Sequence, residues 1–171
     1  MEADFMITKI ASDEIIDEAY EWLCGRRKDY HPNNDIWHLR FNWSEIKPLL
    51  QSSLREGTYC FEPVRQMWTP DGNIYLWASQ DALVLKAVAL VLNQELRPHL
   101  SSNCYHLTGK GGGKGAVRAV QAEVGNAKFV FKSDVKKYYA SMDHDVLMGL
   151  VNSSVSDRKV RALQGIHGAS C

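Results

Sequence analysis

The sequence predicts an α+β chain, rich in helix, with one β-hairpin and an incomplete sheet. Three observations carry that reading. Apolar residues recur at helical spacing around residues 15–23, 45–56 and 82–96. Thr69-Pro70-Asp71-Gly72 is a type I turn by its residue preferences, and it separates two short apolar runs. A third run, Phe129-Val130-Phe131, reads as a buried strand that ends on a carboxylate, Asp134.

The first helix begins at Ser12-Asp13-Glu14, a capping residue with acids in the first turn, and Gly25 is its natural stop. Residues 26–34, with Pro32 and two asparagines, read as a basic loop. Trp37, Leu39, Phe41 and Trp43 alternate with polar residues, which fits either an extended stretch or an aromatic staple. A second helix runs from about Glu45 to Glu56 and ends on Gly57. Pro48 is tolerated only near its first turn, which favours Ser44 over Asn42 as the cap. Thr58-Tyr59-Cys60-Phe61 and residues 64–68 lead past Pro63 into the hairpin, whose return strand is Ile74-Tyr75-Leu76-Trp77. Ser79 and Asp81 are candidate caps for a helix over 82–96, apolar all round and so expected to be buried. Arg97-Pro98 ends it. A glycine-rich stretch, 109–115, opens into a helix over 116–124, and Gly125-Asn126 turns the chain toward the strand of Asp134. A helix follows over about 145–151, and Asp157 caps another. Residues 165–171 read as an arbitrary end rather than a domain boundary.

Composition excludes several classes. At 45% hydrophobic and 23% charged residues, the 171-residue chain is not disordered and suffices for one domain with a core, or for part of a larger one. Net charge is zero, but its distribution is uneven: residues 1–24 hold seven acids against one base, a net of −6, and residues 107–140 hold seven bases against two acids, a net of +5. A basic stretch around one acid suits a polyanion-binding site with a metal, or simply a solvated surface of mixed charge. Cys24, Cys60, Cys104 and Cys171 are widely spaced, which is neither a zinc pattern nor a dense disulfide framework and suits a cytoplasmic protein. Glu2 and Asp4 stand where a signal peptide is basic. The longest apolar run, 87–92, is far below the ~20 residues a membrane helix needs, so a soluble chain is expected.

Two stretches carry candidate chemistry. Asp134, followed by Lys136, Lys137, Tyr138 and Tyr139, is a strand-end acid among basic and aromatic residues. That suits a metal-and-phosphate site; most strand-end Asp residues, however, are turn or cap residues, because the short side chain bonds nearby backbone. The glycine-rich stretch fails the phosphate-loop pattern from either starting glycine, since the sixth position is Lys114 from Gly109 and Ala116 from Gly111. It reads instead as a flexible basic turn on a nucleic-acid backbone, or as a connector with no ligand.

The order of these features resembles bacterial reverse transcriptases of the group II intron and retron kind. Asp134-Val135-Lys136-Lys137-Tyr138-Tyr139-Ala140-Ser141-Met142-Asp143-His144 looks like their first catalytic motif. Leu54 to Pro63 is similar to the segment entering the fingers, Asp71-Gly72 to the fingertip hairpin, and Asp81-Ala82-Leu83-Val84-Leu85-Lys86-Ala87 to the Asp-x-x-Val-x-x-Ala start of the next helix. Cys104-Tyr105-His106 through Ala116-Val117 is similar to the stretch before the catalytic strand. The resemblance covers about residues 45–160.

It implies an N-terminal helical extension over 1–43, a fingers-like region over 44–128 and a truncated first part of the palm over 129–171. It also implies RNA-directed DNA polymerase activity by two-metal nucleotidyl transfer in a full-length parent, with Mg2+ as cofactor and RNA template, DNA primer and dNTP as partners. By the same resemblance Asp134 and the Val135 carbonyl are metal ligands, Tyr139 packs against the incoming sugar, and Lys110, Lys114 and Lys132 contact phosphates. Two departures stand out. The basic residues that flank the family's fingertip turn are replaced by Thr69-Pro70 and Tyr75, and the Tyr-x-Asp-Asp motif is absent, as no two aspartates are adjacent. The piece alone is therefore expected to be inactive; the alternatives are a non-catalytic nucleic-acid-binding module or the remnant of a decayed retroelement.

Overall fold

Caps and glycines set most of the helix boundaries. The computed structural model describes residues 4–70, 72–107, 109–139 and 141–164, over which the chain is mixed helical with one two-stranded sheet. It divides into two compact units, residues 1–95 with 145–171 (unit 1) and residues 96–144 (unit 2).

Unit 1 opens with α1 (Phe5–Ile10), too short for a periodicity signal, and α2 (Asp13–Arg26). The Ser12 hydroxyl caps α2 by accepting the Ile15 N–H at 3.4 Å. The helix runs through Gly25 rather than stopping there and ends when the Arg27 N–H reaches the Leu23 carbonyl at 2.9 Å. The aromatic stretch left open by its alternation is helical: α3 (Asp35–Phe41) starts where the Asn34 side chain accepts the Ile36 N–H at 3.1 Å. Ile36 and Leu39, three apart, face the core. Next comes α4 (Trp43–Glu56), which begins after Asn42 rather than Ser44 and takes Pro48 inside its second turn. It closes on Gly57 at φ +73°, with Gly57 N–H to Leu54 O at 3.2 Å and Thr58 N–H to Ser53 O at 2.9 Å. This paired closure needs a left-handed residue, which glycine supplies without strain.

The hairpin is β1 (Arg65–Thr69) paired antiparallel with β2 (Gly72–Leu76), with Thr69 opposite Gly72 and Arg65 opposite Leu76. Asp71 at its tip lies outside the described residues, as does the closing stretch 165–171. The long helix α5 (Ser79–Leu96) begins three residues earlier than its apolar run and, as expected, buries Leu83, Val84, Ala87, Val88 and Val91. Two helices follow unit 2: α7 (His144–Ser154) and α8 (Arg158–Gln164).

Three polar ties lock the core of unit 1. Asp157 is 1% exposed, and its Oδ1 accepts the Lys159 and Val160 N–H groups at 2.9 and 3.3 Å, capping α8. Its Oδ2 accepts the N–H of Ile7 in the first turn of α1 at 2.8 Å. One carboxylate thus satisfies orphan donors of two helices and faces the positive ends of both. Asp81, 2% exposed, accepts the Tyr59 hydroxyl at 2.6 Å and the Glu62 N–H at 3.0 Å. Asp35 accepts both the N–H and the hydroxyl of Ser79, at 2.6 and 2.7 Å, while Arg27 donates to the Ser79 hydroxyl and the Trp77 carbonyl at 2.6 and 3.0 Å.

Unit 2 contains the turn Arg97–His99 and α6 (Gly112–Val124), and none of its described residues is buried. The expected strand at 129–131 is not formed. Phe129, Val130 and Phe131 are 91%, 74% and 90% exposed and lie in no helix or ladder. A strand is held by the backbone bonds of a neighbour, and among the described residues the only sheet is β1–β2, in unit 1. An apolar run records what a segment needs, not whether its partner is at hand.

Two measurements test the ties. Asp157→Ala, which orphans donors at two helix ends, is expected to cost about 2–4 kcal/mol in urea unfolding; a loss under about 0.5 kcal/mol would show that the clasp is not used. Burial first, and then the bond to Asp81, push the Tyr59 phenol above its ordinary value of 10.0. Its stabilising contribution is therefore complete below about pH 10 and is lost as pH rises through the raised folded value. Tyr59→Phe is expected to cost about 1–3 kcal/mol at pH 7 and to flatten the loss of stability between pH 10 and 12; an unchanged alkaline slope would exclude Tyr59 as its source.

Candidate nucleic-acid interface and carboxylate

Every residue singled out from the sequence as a site lies in unit 2: Lys110, Lys114, Lys132, Asp134, Val135 and Tyr139. That unit holds eight bases against three acids, a net of +5, so unit 1 of this neutral chain is −5. Neutrality conceals a strong separation of charge, and a polyanion approaching the chain is drawn to unit 2.

The glycine stretch has a steric explanation. Gly111 precedes α6 at φ +80°, a conformation that strains other residues. A Cβ on Gly115 would collide with the Lys110 carbonyl and would also meet the Tyr105 ring at 3.4 Å. The chain folds back on itself too tightly for side chains at these points. Glycine here serves a close backbone approach, and the result is that Lys110 and Lys114 both sit at the start of α6, exposed. The first N–H groups of a helix add to the attraction of such lysines for phosphate.

Asp134 and Val135 lie on the unpaired stretch, both exposed, Val135 at 61%. The chain then turns at Lys137, whose φ of +53° is the only positive value at a non-glycine among the described residues. The turn is held by Ser141, whose N–H and hydroxyl donate to the Lys137 carbonyl at 2.9 and 3.0 Å. It sets the Tyr138 and Tyr139 rings edge to face with centroids 5.2 Å apart, and leaves Tyr139 86% exposed. Exposed rings beside lysines suit stacking on unpaired bases. Asp134 supplies one carboxylate, whereas Mg2+ takes six oxygens in near-octahedral array. Among the described residues no three His, Cys, Asp or Glu side chains converge. Taken alone, those residues do not compose a Mg2+ site.

The segment Asp81–Ala87 has a structural meaning that periodicity alone did not give. Asp81, Val84 and Ala87, at i, i+3 and i+6, all lie on the buried face of α5. Burial, opposed by the bonds from Tyr59 and Glu62, holds the Asp81 carboxyl above its ordinary value of 3.8. A cleft of about 350 Å³ lined by Ile46, Leu49, Ser53, Thr58 and Tyr59 opens nearby in unit 1 and includes none of the predicted site residues. Tyr59 and Arg27 were not singled out from the sequence. Their signal was weak, because a lone Tyr or Arg gives no hint of burial until its partner is known.

No family model matches the chain. The chain is similar to the group II intron-encoded protein LtrA of Lactococcus lactis subsp. cremoris and to the protein of that name from its strain MG1363. Each is 27% identical over 129 residues, which cover 72% of this chain and 21% of the relative. The chain thus spans about a fifth of the length of the curated relatives it matches.

Proposed function

We propose that this chain is the fingers and first palm portion of a reverse-transcriptase-like polymerase, an RNA-directed DNA polymerase acting on RNA template, DNA primer and dNTP. The observation that carries the reading is the likeness to group II intron-encoded proteins across 72% of the chain. The ordered segments that end on Asp134 support it. In this reading residues 1–43 are an N-terminal extension, 44–128 the fingers-like region and 129–171 palm.

Asp134, with the Val135 carbonyl, is this chain's contribution to a divalent-metal site, Mg2+ by preference for hard oxygen ligands. Further carboxylates must come from outside these residues, since no two aspartates are adjacent in the sequence. Tyr139 packs under the nucleotide sugar, and Lys110, Lys114 and Lys132 hold phosphates. The hairpin takes no part in gripping a triphosphate through lysine or arginine at its tip, because Thr69 and Pro70 precede the turn.

A second reading, a nucleic-acid-binding module without catalysis, is favoured by the +5 charge of unit 2. Two experiments separate the readings. The purified 171-residue chain is expected to give no extension of a DNA primer on an RNA template with Mg2+, and any extension would contradict the requirement for outside carboxylates. In a longer protein that contains this chain and extends primers, Asp134→Ala should abolish extension with little change in template affinity. Normal turnover would remove Asp134 as a metal ligand and leave the binding module. For the lysines, three contacts to a single strand give a slope of about −2 for log affinity against log salt. Replacing Lys110, Lys114 and Lys132 together by Ala should bring that slope near zero; an unchanged slope would place the phosphates elsewhere.

A further inference from the structure

The hairpin of unit 1 has no ligand in the polymerase reading, since its tip carries no lysine or arginine. Neither β1 nor β2 buries a residue, so the hairpin projects from the core rather than packing into it. A two-stranded hairpin is marginal alone in water, and here both of its stems are anchored. The Glu62 N–H before β1 donates to Asp81, and Arg27 donates to the Trp77 carbonyl after β2, each at 3.0 Å. The Phe61 ring bridges the stems, edge to face with Tyr59 and with Trp77 at centroid distances of 5.1 and 5.9 Å.

The two faces of this arm differ. Gln66 lies opposite Tyr75 and Trp68 opposite Asn73, and alternation puts these four side chains on one face. Met67 and Ile74, opposite each other, fall on the other face and are 45% and 41% exposed. Trp68 and Tyr75 are 80% and 65% exposed and diagonal across the ladder. Among the described residues neither ring meets another ring, and the Gln66 and Asn73 carboxamides make no hydrogen bond. Two bare rings with a free amide on either side match the faces and the edges of unpaired bases.

Charge agrees. Neither strand carries a carboxylate. Arg65, at the start of β1, lines a cavity of about 70 Å³ with Arg27 and Tyr30, and the exposed Arg26 and Lys28 flank Arg27. At this root the exposed cations Arg26, Lys28 and Arg65 outnumber the exposed acids Asp29 and Glu62, although unit 1 as a whole is acidic. Cations for a backbone beside rings for its bases is the pattern of single-strand binding. A duplex keeps its base faces stacked and offers the rings nothing.

We propose that the face formed by Gln66, Trp68, Asn73 and Tyr75 binds single-stranded nucleic acid by stacking on two unpaired bases, with phosphates met at the root by Arg26, Lys28 and Arg65. Stacking, not charge, is then what the hairpin itself contributes, and it tolerates any base sequence. The inference rests on the proposed function for its ligand class and adds to the lysines of unit 2 a second contact surface on unit 1.

The test uses the full chain, a fluorescein-labelled A20 RNA and a labelled abasic strand of the same length. Fluorescence anisotropy is expected to show A20 binding at least about tenfold tighter than the abasic strand. Replacing Trp68 and Tyr75 together by Thr keeps strand propensity and removes both rings. That variant should bind A20 about tenfold more weakly or worse, and the abasic strand within about twofold of the parent chain. Met67→Thr with Ile74→Thr, on the opposite face, should leave both affinities unchanged and so controls for the folding of the hairpin. The proposal is overturned if the parent chain binds A20 and the abasic strand alike, if the ring variant binds A20 normally, or if the opposite-face variant loses as much as the ring variant. A ring variant that binds normally while Lys110, Lys114 and Lys132 replaced together by Ala weakens both strands would overturn this proposal and leave the nucleic-acid reading standing. Failure of the parent chain to bind either strand at low salt would overturn both.

Discussion

One buried carboxylate, that of Asp157, faces the first turns of two helices that lie 150 residues apart in the chain. Its two oxygens accept the N–H of Ile7 in α1 and the N–H groups of Lys159 and Val160 in α8. A charge so placed is costly unless its hydrogen bonds are made, and here they are made by donors that would otherwise be orphaned. Nearby, the Lys159 ammonium bonds to the Asp4 carboxylate at 2.9 Å and to the Arg55 carbonyl at 2.7 Å, so the same junction also draws in the end of α4. Unit 1 is closed by this clasp into a body whose core runs from Ile7 to Val160. The intervening residues 96–144 are free to be something else.

What they are follows from charge and exposure. Unit 2 gathers eight bases and buries no described residue, while unit 1 gathers the acids and nearly all the buried apolar surface. Stability and the pull on polyanions are thus divided between the units. The candidate carboxylate, Asp134, stands on a stretch with strand chemistry and, among the described residues, no strand partner, which fits a chain that spans about a fifth of the length of the relatives it matches. Such a stretch acquires its conformation only when something pairs with it.

The fold was legible where local chemistry decides it. Ser12, Gly57 and Asp157 mark helix ends by hydrogen bonds to their own neighbours, and each boundary fell at or beside its signal. The hairpin was likewise fixed by Gly72 and its flanking apolar runs. Where alternation and apolar runs were the only signal, the reading stayed open or failed. Trp37, Leu39, Phe41 and Trp43 left an extended stretch or an aromatic staple open, and the Asn34 cap with the burial of Ile36 and Leu39 makes Asp35–Phe41 helical. Residues 129–131 have every local mark of a buried strand and no partner among the described residues to bury them. The site shows the same division: its residue types and positive charge were visible in sequence, but the convergence of carboxylates that would make it a metal site is a long-range property, and the described residues lack it.

Amide hydrogen exchange of the intact chain, read by mass spectrometry, tests this division most directly. The account predicts that the peptides holding Ile7 and Val160 exchange as slowly as those of α5, together and through opening of the whole unit. It predicts that residues 128–135 exchange at close to the rate of an unstructured peptide. Protection of 128–135 comparable to α5 would contradict the account, because it would mean the stretch already has the partner that the structure does not show.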